Sequence, residues 1–95
     1  MERKVFDALP QSTRDTLVNQ WKQTIDRVQL LEGVRDRLNN AVYFVREAMN
    51  KSGGDNHIAD CFTKLQTNLS LIEVEIALSS SGPAFDPAFH DVIPK

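Results

Sequence analysis

This chain of 95 residues contains a single cysteine, Cys61, and therefore cannot form an internal disulfide. A lone cysteine is typical of proteins in a reducing compartment, and we predict a cytoplasmic location. No segment approaches the ~18 consecutive apolar residues of a membrane-spanning helix, and no apolar segment of a signal peptide follows the charged first residues. We therefore expect neither secretion nor insertion into a membrane.

The chain also has no excess of positive charge, because it contains 11 Lys and Arg residues and 13 Asp and Glu residues, for a net charge of −2. Nucleic-acid-binding domains of this size usually have a basic face, so nucleic acid is not an expected partner. His57 and Cys61 are four residues apart, but two ligands do not make a zinc site, and no third group is present to orient a nucleophile. We predict no enzyme activity, no cofactor and no metal.

Apolar residues make up 41% of the chain, and their spacing is helical. Between Ile58 and Ile76 they recur at alternating steps of four and three, at Ile58, Phe62, Leu65, Leu69, Ile72 and Ile76. A second apolar line, Leu71, Val74 and Leu78, lies on a different face of the same helix. Because one partner helix cannot cover both faces, the pattern predicts association with another copy or another protein.

A longer apolar stripe at steps of three or four precedes this helix. It extends from about Ser12 to Asn50 through Leu17, Trp21, Ile25, Val28, Leu31, Val34, Leu38, Val42, Val45 and Met49. Gly53 and Gly54 predict a turn, and Asp55 or Asn56 is suited to capping a second helix from about His57 to Ser79.

The predicted fold is all-α: a helical hairpin of one long and one shorter antiparallel helix, assembled into a helical-bundle oligomer. Residues 1–11 form a short N-terminal arm, residues 12–79 the hairpin domain, and residues 80–95 an extended C-terminal tail kept open by three prolines. Two alternatives remain for the tail. It is either a strap on its own domain or on a neighbouring subunit, or a recognition peptide for another protein.

The first helix is too long for its hairpin partner, so its stripe from Leu17 to Val28 needs another cover. Either Gly33 breaks the helix and this segment folds back as a third helix, or the helix is continuous and its apolar end is buried in an oligomer. We favour the continuous helix, since glycine costs only about 1 kcal/mol in a helix interior. The predicted protein-interface residues are Leu17, Trp21, Ile25, Leu69, Leu71, Val74, Leu78, Phe85 and Phe89.

Arginines and aromatic residues lie close together in the middle of the chain, where Tyr43, Arg46 and Lys64 are candidate phosphate-ligand residues. The stretch from Leu38 to Ser79, with VREAM at 45–49, a polar turn, FTKLQ at 62–66 and IAL at 76–78, resembles the phage anti-CBASS proteins. Those proteins are oligomeric helical hairpins that sequester cyclic oligonucleotide signals. The resemblance implies an oligomer with a cyclic nucleotide as its ligand.

Two functions remain. The first is a non-enzymatic helical interaction module that binds and regulates or inhibits a protein partner, as an antiactivator, a secretion chaperone or a phage inhibitor does. The alternative is an oligomeric sponge for a cyclic nucleotide immune signal. We favour the protein-binding module, because the apolar surface of the predicted helices exceeds what one copy can bury.

Overall fold

A computed structural model describes residues 1–94, and all regular structure in this range is helical. Helix α1 spans Arg3–Asp7, α2 spans Gln11–Ser52 and α3 spans Asn56–Ser79. Two 3₁₀ turns follow, at Pro83–Phe85 and Pro87–Phe89. The predicted all-α helical hairpin is confirmed. None of the described helices is both long and apolar enough to cross a membrane.

Helix α2 is continuous over 42 residues and is not broken at Gly33. It begins directly after Pro10, whose carbonyl accepts a hydrogen bond from the Arg14 amide at 3.0 Å. A proline at this point stops α1 from continuing, and it has no amide hydrogen that would be left unsatisfied. The continuous helix is therefore the correct alternative, and the Leu17 to Val28 segment does not fold back as a third helix.

The turn between α2 and α3 follows the predicted chemistry. Gly53 and Gly54 have φ values of 69° and 100°, a region that side chains with a Cβ rarely adopt. A carboxylate oxygen of Asp55 accepts hydrogen bonds from the amides of His57 at 2.8 Å and Ile58 at 3.2 Å. These bonds satisfy amides in the first turn of α3, so Asp55 is its N-terminal cap.

The chain divides into two compact units. The terminal unit consists of residues 1–29 and the described residues from 77 onward. The hairpin unit consists of residues 30–76 and contains the turn between α2 and α3. The arm and the tail thus belong to the same unit as the first part of the long helix.

The core of the terminal unit is an aromatic cluster. Phe89 has no exposed surface, and its ring centroid lies 4.9 Å from that of Trp21 and 5.4 Å from that of Phe6. Ala84 and Ile93 of the tail complete this cluster, and partly buried neighbours surround it: Leu9, Leu17, Val18, Ile25, Phe85 and Val92. The arm and the tail of the same chain therefore cover α2 from Leu17 to Ile25, within the stripe for which the sequence predicted a third helix or an oligomer.

The tail is a strap on its own domain, which was one of the two alternatives, but it is not extended throughout. Pro83 and Pro87 each begin a 3₁₀ turn, because the fixed backbone angle of proline fits the first position of a helical turn. The Asp86 carboxylate accepts from the Ala88 amide at 2.9 Å and caps the second turn. The prediction of an extended tail is wrong for residues 83–85 and 87–89, which form these two turns, whereas Asp86 between them has extended backbone.

Arg3 links the arm to the tail. Its guanidinium donates to both carboxylate oxygens of Asp91, at 2.6 and 3.2 Å, and to the Ala88 carbonyl at 2.8 Å. Its Nε donates to Asp7 at 3.0 Å. The hydrogen bond from Arg3 holds the pKa of Asp91 below its usual value, and the same bond raises the pKa of Arg3. The ion pair is favourable only while Asp91 is ionised.

The hairpin unit has little core of its own. Val42 is the only residue among positions 30–76 that is fully buried, at 8% exposure, and no side chain of α3 is fully buried. The seam residues predicted from the sequence, from Ile58 to Ile76, are all half-buried. A hairpin that hides so little apolar surface leaves side chains on its outer faces for contact with other molecules.

Candidate protein interface

The outer face of α3 presents large apolar side chains to solvent. Leu71 is 62% exposed and Val74 is 56% exposed, and Leu78, farther along the helix and in the terminal unit, is 67% exposed. Because a helix turns about once every 3.6 residues, steps of three and four place Leu71 and Val74 on one side of the helix. The half-buried seam residues Leu69 and Ile72 lie on roughly the opposite side. Helix α3 therefore has two apolar faces, as the sequence pattern predicted.

Single exposed leucines are common on protein surfaces, so the arrangement matters more than the exposure of any one residue. Leu71 and Val74 are adjacent on one face, and the ion pair between Lys64 and Asp60 lies on the same side of the helix, beginning about two turns before Leu71. Contiguous apolar surface on a helix is typical of sites that bind another helix or a hydrophobic groove. This face can bind another protein by burial of apolar surface.

Helix α2 also exposes large apolar residues in the hairpin unit. Leu30 is 74% exposed, Val34 is 42% exposed, and the neighbouring aromatic residues Tyr43 and Phe44 are 56% and 65% exposed. The sequence pattern places Val34 in the helical stripe but predicts an interface role for none of these residues. The sequence does contain a signal for the exposure of Leu30 and Phe44. Together with Val34, they follow a helical spacing on a face of α2 next to the main apolar stripe.

The structure places five of the predicted interface residues in the internal core of the terminal unit. Trp21 and Phe89 are buried, and Leu17, Ile25 and Phe85 pack against them. Their apolar surface is covered by the arm and tail of this chain, so these five do not form an open surface for a partner. Of the remaining predicted residues, Leu69 is half-buried in the hairpin seam, whereas Leu71, Val74 and Leu78 are exposed.

Two of the candidate ligand residues, Tyr43 and Arg46, lie on consecutive turns of α2. The Tyr43 hydroxyl donates to the Glu47 carboxylate at 3.0 Å. The guanidinium carbon of Arg46 lies 5.6 Å from the centroid of the Phe62 ring, which is within the range of a cation–π contact between α2 and α3. Arg46 is otherwise exposed, so its charge faces solvent beside an aromatic ring.

The third candidate, Lys64, forms an ion pair with Asp60 at 2.9 Å, one turn earlier on α3. The hydrogen bond to Asp60 raises the pKa of Lys64, so the ammonium is charged at neutral pH. Two shallow concavities of the terminal unit are lined by other residues, including Ile25 and Phe85 in one and Phe6 and Val18 in the other. Neither concavity contains Tyr43, Arg46 or Lys64.

The described part of the chain contains no group of three or more His, Cys, Asp or Glu side chains placed to hold a metal ion. Cys61 is exposed on α3. Comparisons with protein-family models, with curated proteins and with solved structures find no significant match to this chain. The resemblance to anti-CBASS proteins stays a prediction.

Proposed function

We propose that this protein is a non-enzymatic helical interaction module that binds a protein partner through the outer face of α3 and regulates or inhibits that partner. The observation that supports this proposal is the exposure of Leu71 and Val74, both above one half, on a helix whose other face is used in the hairpin. An antiactivator, a secretion chaperone and a phage inhibitor all belong to this class, and we propose that the module acts in the cytoplasm.

The energy available from this face limits the kind of partner. Full burial of a leucine or valine side chain contributes roughly 1.5–3 kcal/mol, so Leu71 and Val74 together supply at most about 6 kcal/mol. Association costs about 4–15 kcal/mol in lost translational and rotational freedom. A partner must therefore also contact the polar flanks of α3, as a groove around a helix does.

Paired capture experiments in cells that naturally express the protein test this proposal. Leu71→Glu with Val74→Lys should remove the partner that the wild-type chain retains, because charged groups would have to be buried in the contact. Gln66→Glu with Asn68→Lys is the matched control, since it changes two exposed polar positions of the same helix. A partner retained equally by the wild-type chain and both variants would refute the assignment of this face.

The second candidate function, a sponge for a cyclic nucleotide, is favoured by one observation. Arg46 places an exposed guanidinium over the Phe62 ring, and a cation beside an aromatic surface suits a phosphate attached to a base. Lys64 would have to exchange its ion pair with Asp60 for the ligand.

A panel of cyclic nucleotides tested by calorimetry and thermal shift examines the sponge. A ligand present at 100 times its dissociation constant stabilises the folded state by about 2.7 kcal/mol, which is readily measured. Arg46→Gln should abolish that stabilisation. Absence of any shift across the panel would contradict the sponge and leave the protein-binding module.

A further inference from the structure

The outer face of α3 has an acidic edge on each side of its apolar residues. In the hairpin unit these apolar residues are Leu71 and Val74, which are 62% and 56% exposed. Successive helical residues are about 100° apart, so Glu75 lies about 40° beyond Leu71, and Glu73 lies about 100° beyond Val74 in the opposite direction. Both glutamates are exposed. A molecule that covers the two apolar side chains therefore has a carboxylate on either side of it.

No basic residue of the same helix neutralises these edges. Residues 65–79 of α3 contain two carboxylates, Glu73 and Glu75, and no lysine or arginine, so this part of the helix has a net charge of −2. Within the described residues, the ion pairs of the hairpin unit use other carboxylates, those of Asp36 and Asp60. The negative charge on both edges is thus available to a partner.

The narrow apolar strip and its charged edges favour one kind of partner. Leu71 and Val74 are three residues apart, the spacing of helices that pack along their length, and charges beside such a seam determine which helix pairs with it. Burial of two side chains does not cover the cost of association, so the partner must also contact the edges. We infer that the outer face of α3 binds an amphipathic helix of another protein, whose apolar stripe has lysine or arginine along both edges.

The long side chains of such a helix suit this face. Lysine and arginine cover apolar surface with their stems and place the charged group at the edge, where Glu73 and Glu75 lie. Opposite charges across the rim of a contact increase the association rate and select the partner. This inference rests on the proposed function, because it concerns the same face, and it adds the chemistry of the partner.

The same charges disfavour other occupants of the face. A second copy docked face to face, with Val74 at the centre, would bring glutamates towards glutamates whether the two helices run parallel or antiparallel. Like charges that face one another are unfavourable. Nucleic acid and anionic lipid present phosphates, which the two carboxylates repel in the same way.

Fluorescence anisotropy with two synthetic peptides tests this inference on the purified full chain. Each peptide is an amphipathic helix of about 18 residues, or five turns, with a leucine stripe. The edges of the stripe are lysine in one peptide and glutamate in the other. The wild-type chain should bind the lysine peptide, and the glutamate peptide should bind at least about tenfold more weakly. Affinity for the lysine peptide should fall between about 0.05 M and 0.5 M salt, because salt screens exposed charges.

Glu73→Gln with Glu75→Gln isolates the contribution of the edges. Glutamine forms helix about as well as glutamate, so the fold should be kept, and circular dichroism checks this. Loss of two exposed ion pairs should weaken binding of the lysine peptide by roughly 2-fold to 30-fold and reduce its salt dependence. Asp36→Asn with Glu47→Gln is the matched control. It removes the same charge from exposed positions of α2 and should leave both quantities close to the wild-type values.

The apolar strip is tested with Leu71→Glu and Val74→Lys together, which leave the net charge unchanged and should abolish binding of the lysine peptide. Equal binding of the two peptides, no binding of the lysine peptide, or equal losses in the Glu73→Gln/Glu75→Gln variant and its control would overturn the inference. The proposed function would still stand after any of these results if the partner captured from cells is lost with Leu71→Glu and Val74→Lys. Retention of that partner would instead refute the proposed function, and the inference with it.

Discussion

Replacement of Phe89 by alanine should detach the tail and the arm from α2. Phe89 is the largest side chain without exposed surface, and its ring contacts both Trp21 of α2 and Phe6 of the arm. Substitution of a buried phenylalanine by alanine costs about 3–5 kcal/mol, through lost burial and the cavity left behind. A domain of this size has a total stability of roughly 5–14 kcal/mol, at 0.05–0.15 kcal/mol per residue. One substitution therefore removes much of what holds the terminal unit together.

Trp21 is the one tryptophan in the chain and reports this change directly. It is 8% exposed, so its fluorescence emission should shift to longer wavelength when Phe89→Ala admits water. Far-ultraviolet circular dichroism should change much less, because α3 and most of α2 lie outside the aromatic cluster. Urea unfolding followed by fluorescence should give a lower midpoint than the wild-type chain.

His90→Ala is the matched control, since His90 is the next residue of the tail and is exposed. It should leave the emission maximum and the urea midpoint close to the wild-type values. If Phe89→Ala leaves both unchanged, the tail does not cover Trp21, and the aromatic cluster is not the core of the terminal unit. Loss of most helical signal together with the fluorescence change would show that the hairpin depends on the tail.

Two further predictions concern the pH dependence of the Arg3–Asp91 ion pair and the substitution of Gly33. The hydrogen bond from Arg3 lowers the folded-state pKa of Asp91. The stability that this ion pair supplies is therefore present above the ordinary aspartate pKa of ~3.9, and it is lost as the pH falls through the lowered pKa. Asp91→Asn should therefore lower the melting temperature at pH 6 but make little difference near pH 2, and an equal effect at both would contradict the ion pair. Gly33→Ala should raise the free energy of unfolding by up to about 1 kcal/mol, and the urea midpoint with it, because α2 is continuous there and a Cβ meets no atom within 4 Å. A destabilised Gly33→Ala chain would argue against the continuous helix.

Several features of the fold were predictable because they depend on neighbours in the sequence. The turn at Gly53 and Gly54 follows from backbone angles that glycine adopts without strain. The cap at Asp55 follows from a side chain that reaches the amides two and three residues ahead. The two apolar faces of α3 follow from helical period alone. Such local rules act wherever the chain lies, so the hairpin and its exposed residues Leu71 and Val74 could be predicted without tertiary contacts.

The covering of α2 by the tail was not predictable in the same way. The contact of Phe89 with Trp21 and the ion pair of Arg3 with Asp91 join residues that are far apart in the chain, and nothing in the spacing of either pair signals the contact. The apolar spacing alone instead predicts that Trp21 and Phe89 belong to an interface with another molecule. They are apolar enough for either role, and only their packing distinguishes a core from an interface.

By itself, the sequence determined two helices, the glycine turn between them and the presence of more apolar surface than a hairpin can bury, because helical period and turn chemistry act over a few residues. The tertiary structure decided which part of that surface is covered. It placed the tail on the first part of α2 and left Leu71 and Val74 exposed, since long-range packing depends on the shapes and positions of side chains that no local pattern encodes.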